Sequence, residues 1–216
     1  MAHGAATQHL VLTAVSTNDI TVFADVPAPP GAVPWVDGVV PDEGEIDIVA
    51  YDPGWPGAFD MLADRIRESL GSAALGITHV GSTSVPGLAA KPIIDIDLIV
   101  ADSADEPAYA PALEAAGFRL LIREPWWYGH RMLRHEAPLA NVHVWSPGTA
   151  EPARHALFRD WLREHPEDRD RYQAAKAAAA AESNARGERV ADYNARKQDV
   201  IRAIYGRAFR AAGLLD

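Results

Sequence analysis

The chain has 216 residues, 48% of them hydrophobic and 23% charged, and a formal net charge of −10. That composition belongs to a globular protein with an ordinary core and excludes global disorder; the acidic balance argues against a protein that coats DNA or RNA, which needs a basic face. The sequence has no cysteine, which rules out a disulfide framework, thiolate catalysis and Cys-ligated zinc or iron–sulfur centres.

Weak alternation over 9–13 and 20–24 predicts two short strands joined by a Ser-Thr-Asn-Asp turn. Residues 27–45 hold Pro, Gly and acids without a period and read as a loop. Residues 46–50 (IDIVA) are a strand candidate. Pro53-Gly54-Trp55-Pro56 then opens a helix over 56–70, with Phe59, Leu62, Ile66 and Leu70 on one face. Strands follow at 77–80 and 93–100, a helix at 106–116, and strands at 118–123, 131–135 and 141–145. From Glu151 the texture becomes Ala-rich and helical, predicting helices over 151–165, 167–184 and 188–211, broken at His165-Pro166 and at Gly187. The expected organisation is an N-terminal extension over 1–45, an α/β core over 46–150, and helices over 151–214 that pack on the core.

Charge follows the same division. The first basic side chain is Arg65, and residues 1–150 carry 7 basic and 19 acidic groups against 13 and 11 in 151–216. The start has no positively charged n-region, and no apolar run approaches the roughly 18 residues of a spanning helix. The expectation is a cytoplasmic protein without a membrane partner.

The stretch 78–100, THVGSTSVPGLAAKPIIDIDLIV, carries the chemistry. A strand ends in Gly81-Ser82-Thr83-Ser84, where glycine permits a tight turn, and hydroxyls and backbone N–H groups can cradle a phosphate. Asp95 and Asp97 sit two apart in an apolar strand, so both carboxylates share one face while Ile94, Ile96 and Leu98 take the other. Two carboxylates side by side repel, and a divalent cation, Mg²⁺ or Mn²⁺, is their natural partner. A phosphate turn followed by such a strand fits phosphoryl or nucleotidyl transfer; the alternative is a solvent-facing edge whose acids keep it soluble.

Lys91, between turn and strand, can meet a phosphate or lie on the surface. Arg131 can add charge for a triphosphate or serve an edge. Tyr172 and Lys176 share a helix face, as do Tyr193 and Lys197; these lysines can bind phosphates or snorkel past the tyrosines. Trp126-Trp127-Tyr128 can stack on a base or cap a hairpin. A hydrolase built on His130, His135 and His143 lacks a recognised zinc spacing.

The stretch HVGSTSVPGLAAKPIIDIDLIV resembles the signature of the GrpB family, a member by fold of the nucleotidyltransferase superfamily. The resemblance extends to YDPGWP (51–56), AAGFR (115–119), NVHVWSPG (141–148) and LFRDWLREHP (157–166), and spans about residues 46–212. It implies an α+β fold: a nucleotidyltransferase-like mixed sheet covered by helices, with a C-terminal helical region. It also implies that Gly81 and Ser82 are the phosphate turn and that Asp95 and Asp97 are the metal pair. The superfamily's third carboxylate has no counterpart in Asn141-Val142-His143-Val144-Trp145; His143 is the inward polar candidate, as ligand, general base or core histidine. His79 reads as structural.

The implied activity is Mg²⁺-dependent transfer of a nucleoside monophosphate from a nucleoside triphosphate to a small-molecule acceptor, with no nucleic acid partner. The alternative is a non-catalytic nucleotide- or phosphate-binding or folding-accessory domain, as GrpB-like domains fused to some dephospho-CoA kinases are regarded.

Overall fold

The computed structural model describes residues 15–23, 26–38 and 44–216. Five strands form one sheet: β1 (Gly76–Val80), β2 (Ile94–Ile99), β3 (Arg119–Glu124), β4 (His130–Glu136) and β5 (Leu139–Trp145), in spatial order β1-β2-β5-β4-β3. Only β2 and β5 run parallel; the other neighbours are antiparallel. The protein is thus α+β with a mixed sheet, and the predicted strands over 77–145 are all present within two residues.

Alternation assigns the two faces of the sheet. Ile94, Ile96 and Leu98 of β2, Leu133 of β4, and Ala140, Val142 and Val144 of β5 are buried against helices α2 (Trp55–Leu70) and α3 (Ala110–Ala115) through Leu62, Ile66 and Leu113, with Phe118, just before β3, in the same cluster. Helix α2 starts where expected, with Pro56 in its first turn and Gly71 at its C-terminal cap. The opposite face carries the polar side chains Asp95, Asp97, Asn141 and His143, and the C-terminal helices lie toward it.

Those helices are α4 (Ala150–Glu164), α5 (Pro166–Arg186), α6 (Val190–Arg196) and α7 (Gln198–Ala211). Gly187 ends α5 in the left-handed conformation (φ 61°, ψ 33°), as read from the sequence. The last predicted helix is in fact two, broken at Lys197 (φ −96°, ψ 0°). Neither Gly nor Pro marks this break. Tertiary packing sets it: Tyr193 on α6 is buried with Ile46, Ala179 and Ala180, while Ile204 on α7 is buried with Val85, Leu88, Leu162 and Tyr172.

Two expected strands are not strands. Residues 46–50 make a single bridge, Val49 to Ala90, with N···O distances of 2.9 Å each way. The Asn184 side chain of α5 takes both backbone groups of Ile46, at 2.9 and 3.0 Å, so no ladder forms there. At the start of the predicted strand at 20–24, Ile20 and Thr21 instead close a short helix, α1 (Thr17–Thr21), and Ala24 lies outside the described residues; the Ser16 hydroxyl caps the helix by accepting from the Asp19 N–H at 3.1 Å. The predicted strand at 9–13 lies outside the described residues.

Arg154 of α4 is 1% exposed and holds α1 in place. It donates to the carbonyls of Ile20 (2.8 Å), Val22 (2.7 Å) and Asp19, pairs with Glu151, and lies 4.5 Å from the Phe23 ring centre. Replacing it with Met leaves carbonyls and a carboxylate without their donor. We expect Arg154→Met to lower stability by about 2–4 kcal/mol in urea unfolding. Among the described residues no helix is long and apolar enough to cross a membrane.

Candidate functional site

Strand β1 ends at Val80, paired with Asp95, and the chain turns through Gly81 (φ 68°, ψ −171°) into a 3-10 turn, Ser82–Ser84. Glycine is required there twice over: the conformation is one that other residues avoid, and a Cβ would overlap the Asp95 side chain. The turn and the first Asp are therefore in direct contact.

They open into a cavity of about 430 Å³ between the polar face of the sheet and the C-terminal helices. Its walls include Gly81, Ser82, Thr83, Lys91, Asp95, His143, Lys176 and Lys197, so eight of the expected site residues share one space. Within the turn the hydroxyls are not equivalent. Ser84 Oγ donates to the Gly81 carbonyl (2.6 Å) and Thr83 Oγ1 to that of Ile93 (3.2 Å). Both hydroxyls brace the turn; Ser84, contrary to expectation, is not on the cavity lining, while Thr83 is, and the half-buried Ser82 lies against the Tyr172 phenol.

The lysines are crowded. Lys176 is 2% exposed, donates to the Ala89 carbonyl and lies 4.7 Å from the Tyr172 ring centre. Lys197 and Lys91 lie 4.2 and 5.7 Å from the Tyr193 ring centre. Burial, and then the charge of Lys197, push Lys176 down to about 7. Burial and Lys91 push Lys197 down to about 8, with Asp95 opposing. Arg134 adds to this wall, and its buried Nε has no hydrogen-bond partner among the described residues. Among the described residues Asp95 is the lone carboxylate on the lining, so the cavity is cationic inside an acidic protein.

The two aspartates have different surroundings. Burial opposes the charge of Asp95, but the neighbouring His143 ring, Lys91 and the Asn141 amide hold it below the usual carboxylate range. Asn141 Nδ2 donates to its Oδ1 at 3.2 Å, and His143 Nε2 stands 3.9 Å from the same oxygen. Asp97 lies behind the cavity wall, 2% exposed. It accepts from the Trp145 indole N–H (2.9 Å) and from His155 Nδ1, which faces both oxygens at 3.1 and 2.9 Å. Burial opposes this pairing, yet the His155 charge keeps Asp97 low, and Asp97 in turn holds His155 up at about 9.

The expected metal pair is thus not presented as a pair. The positive charge beside Asp97 is an imidazolium from α4, and no cluster of three or more His, Asp or Glu side chains among the described residues could hold a metal ion. As arranged, these residues do not fit a two-carboxylate Mg²⁺ or Mn²⁺ site. The repulsion that argued for a cation is answered by His155 at Asp97 and by Lys91 and the Asn141 amide at Asp95.

Arg131 is the other correction. It faces away from the cavity, 6% exposed, with Nε 2.6 Å from Glu106 Oε1 and Nη1 donating to the Gly129 carbonyl at 2.9 Å. Its cross-strand partner on β5 is Val144, which points into the core; the cavity-facing residues of β4 are Met132 and Arg134. His79 is structural, as read: its ring stacks on Phe59 at 4.7 Å and hydrogen-bonds to Thr83 Oγ1 at 3.1 Å. Arg159 is committed to Asp160 and the His79 carbonyl.

The sequence reading missed His155, Arg134, Trp35, and the pairing of Glu124 with His130. His155 precedes Arg159 by four, and both project from α4 toward the sheet. An α4 residue facing the second Asp was a signal available from helical spacing. Trp35 comes from the N-terminal extension, bridges Ile122 at the β3 edge and lines the cavity; nothing local announced it. Trp127 lines the cavity too, packed on His130 and Trp145 at 5.1 and 5.4 Å.

A mixed α+β sheet with a Gly-Ser turn against an Asp strand, roofed by C-terminal helices over a lysine-lined cavity, defines the class. Residues 45–207 match the family described as GrpB protein, and the chain belongs to the GrpB family. It is 48% identical over 168 residues to a UPF0157 protein of Halalkalibacterium halodurans, covering 78% of this chain and 85% of that one. A UPF0157 protein of Streptomyces coelicolor is 42% identical over 168 residues, covering 78% and 87%. The crystal structure of conserved protein GrpB from Enterococcus faecalis superposes with a TM-score of 0.66 at 29% identity, covering 77% of this chain and 99% of that one. The chain also matches a dephospho-CoA kinase of Mycolicibacterium paratuberculosis at 30% identity, spanning 46% of that protein.

Proposed function

We propose that the protein binds a phosphorylated small molecule in this cavity, with a nucleoside phosphate as the ligand class. The observation that carries the reading is the convergence of Lys91, Lys176 and Lys197 with the Gly81–Ser82 turn around a space that has one carboxylate on its wall. Burial first, and then the charge of a neighbouring lysine, disfavours the ammonium forms of Lys176 and Lys197 and depresses both pKa values. An anion that enters offsets this and restores full protonation. The aromatic end, with Trp35 and Trp127, offers ring faces to a base or another flat group.

Nucleotidyl transfer to a small-molecule acceptor is the second reading. It is favoured by the placement of Asp95, the Gly81–Ser82 turn and His143 on one cavity wall. Its divalent cation would have to draw Asp97 away from His155. Nucleic acid is not the proposed partner, because the cationic surface in question is enclosed rather than spread over a face.

Thermal unfolding with ATP, CTP, GTP, UTP or dephospho-CoA, first in EDTA and then with Mg²⁺ or Mn²⁺, tests both readings. At a ligand concentration of about 100 times Kd, stabilisation is about 2.7 kcal/mol. The binding reading predicts a rise in Tm already in EDTA, and its loss in the Lys176→Met plus Lys197→Met variant. The transfer reading adds a metal-dependent increment that disappears in Asp95→Asn. No response to any ligand with or without metal would rule out both.

A further inference from the structure

We infer that Glu124 and His130 fix the tautomer of His143, so that His143 carries its proton on Nδ1 and presents a bare Nε2 to the cavity as a proton acceptor. The inference goes beyond ligand binding: it places at the site a group able to take a proton from a hydroxyl-bearing ligand or a water. It rests on the proposed function only for the identity of what enters the cavity.

Hydrogen bonds set the order of the protons. Glu124 Oε2 lies 2.7 Å from His130 Nδ1, and His130 Nε2 lies 2.9 Å from His143 Nδ1. A carboxylate only accepts, so the proton of His130 sits on Nδ1. His130 is 3% exposed and packed between the rings of Trp127 (5.1 Å) and Trp145 (4.5 Å). Burial in that aromatic slot keeps it neutral, pushed down to about 4 against the pull of Glu124. A neutral imidazole protonated at Nδ1 has a lone pair at Nε2, which must accept. The donor is His143 Nδ1–H. Neutral His143 then has no proton left for Nε2.

That nitrogen is on the cavity side, 3.9 Å from Asp95 Oδ1, too far for a direct hydrogen bond. Proton transfer balances simply. The O–H bond of the bound hydroxyl breaks, its electron pair stays on oxygen, and the proton forms an Nε2–H bond. The imidazolium so formed faces the Asp95 carboxylate, which stabilises it. Glu124 and His130 act through His143 and are positioning residues.

The test reads tautomers rather than turnover. Long-range ¹H–¹⁵N spectra of the full chain labelled with ¹⁵N-histidine, without ligand and at a pH where His143 is neutral, distinguish a protonated from a bare ring nitrogen. We expect Nδ1–H and bare Nε2 for His143 in the wild type. Glu124→Ala frees His130 to move its proton to Nε2, and His143 then shifts to the Nε2–H form. His130→Phe keeps a ring in the slot but removes the acceptor, and gives the same shift; it serves if Glu124→Ala does not fold. A wild-type His143 protonated at Nε2, or an Nδ1–H form that persists in His130→Phe, would overturn the inference. Absence of any nucleotide response with the wild-type tautomer intact would instead count against the proposed ligand alone.

Discussion

Replacing His155 with Ala is expected to lower stability by about 3 kcal/mol near pH 6, the loss that follows when a buried carboxylate is stripped of its charged partner. Asp97 is 2% exposed and both its oxygens face His155 Nδ1. In the variant the indole N–H of Trp145 is the remaining donor among the described contacts. The pH dependence identifies the cause. His155 has a folded pKa of about 9 against 6.5 when unfolded, so it binds its proton more tightly in the native state. Its contribution is complete below about 6.5 and is lost as pH rises through about 9. Lys176 and Lys197 act in the opposite sense: their pKa values are lowered on folding, so their cost is present at low pH and is relieved above about 7 to 8. The two effects overlap in wild-type protein, and the difference between wild type and His155→Ala separates them. Urea unfolding at pH 6 and at pH 9.5 should show that difference shrinking. A difference that does not change with pH would mean that His155 contributes packing rather than charge.

Gly81→Ala is the second large effect. A residue other than glycine at φ 68°, ψ −171° costs about 1–3 kcal/mol by conformation alone. The added Cβ also meets Asp95 Cβ at 2.9 Å and overlaps its carboxylate, so Asp95 must leave its place beside Asn141 and His143. We expect a stability loss of about 2–4 kcal/mol together with loss of the ligand-induced rise in Tm. Gly87→Ala is the control: its φ of 78° is also left-handed, but nothing lies within 4 Å of the added atom. It should cost about 1–2 kcal/mol and leave ligand binding intact. Equal behaviour of the two variants would mean that the contact between turn and aspartate has no role in the site.

Much of this site could be read from residue order, because local rules govern its parts. Strand alternation alone placed Asp95 and Asp97 on one face, and the spacing of four residues put Lys176 beside Tyr172 and Lys197 beside Tyr193, as found at 4.7 and 4.2 Å. The Gly-Ser turn followed from the conformational freedom of glycine. What residue order did not show depended on elements distant in sequence. Arg131 was assigned to the site because its strand lies near the others, but its face is set by register against β5, where its partner is Val144. A metal was expected because two carboxylates looked uncompensated. The compensation of Asp97 comes from α4, 58 residues further on, in the form of His155. Residues 20–24 alternate like a strand, yet Arg154, 134 residues after Ile20, collects the carbonyls of Ile20 and Val22, and Thr17–Thr21 is helical. In each case tertiary partners overrode a local preference.

The proposal that the lysine cluster holds phosphate makes a prediction about protons. At pH 8 Lys176 and Lys197, at about 7 and 8, are partly deprotonated in the free protein. A phosphomonoester or triphosphate is by then fully ionised, and its arrival raises both values. Isothermal titration of ATP in EDTA at pH 8, repeated in buffers of different ionisation enthalpy, counts the protons exchanged on binding. Net proton uptake in the wild type, abolished in the Lys176→Met plus Lys197→Met variant, is the predicted result. Binding without proton uptake, or no binding at all, would contradict it.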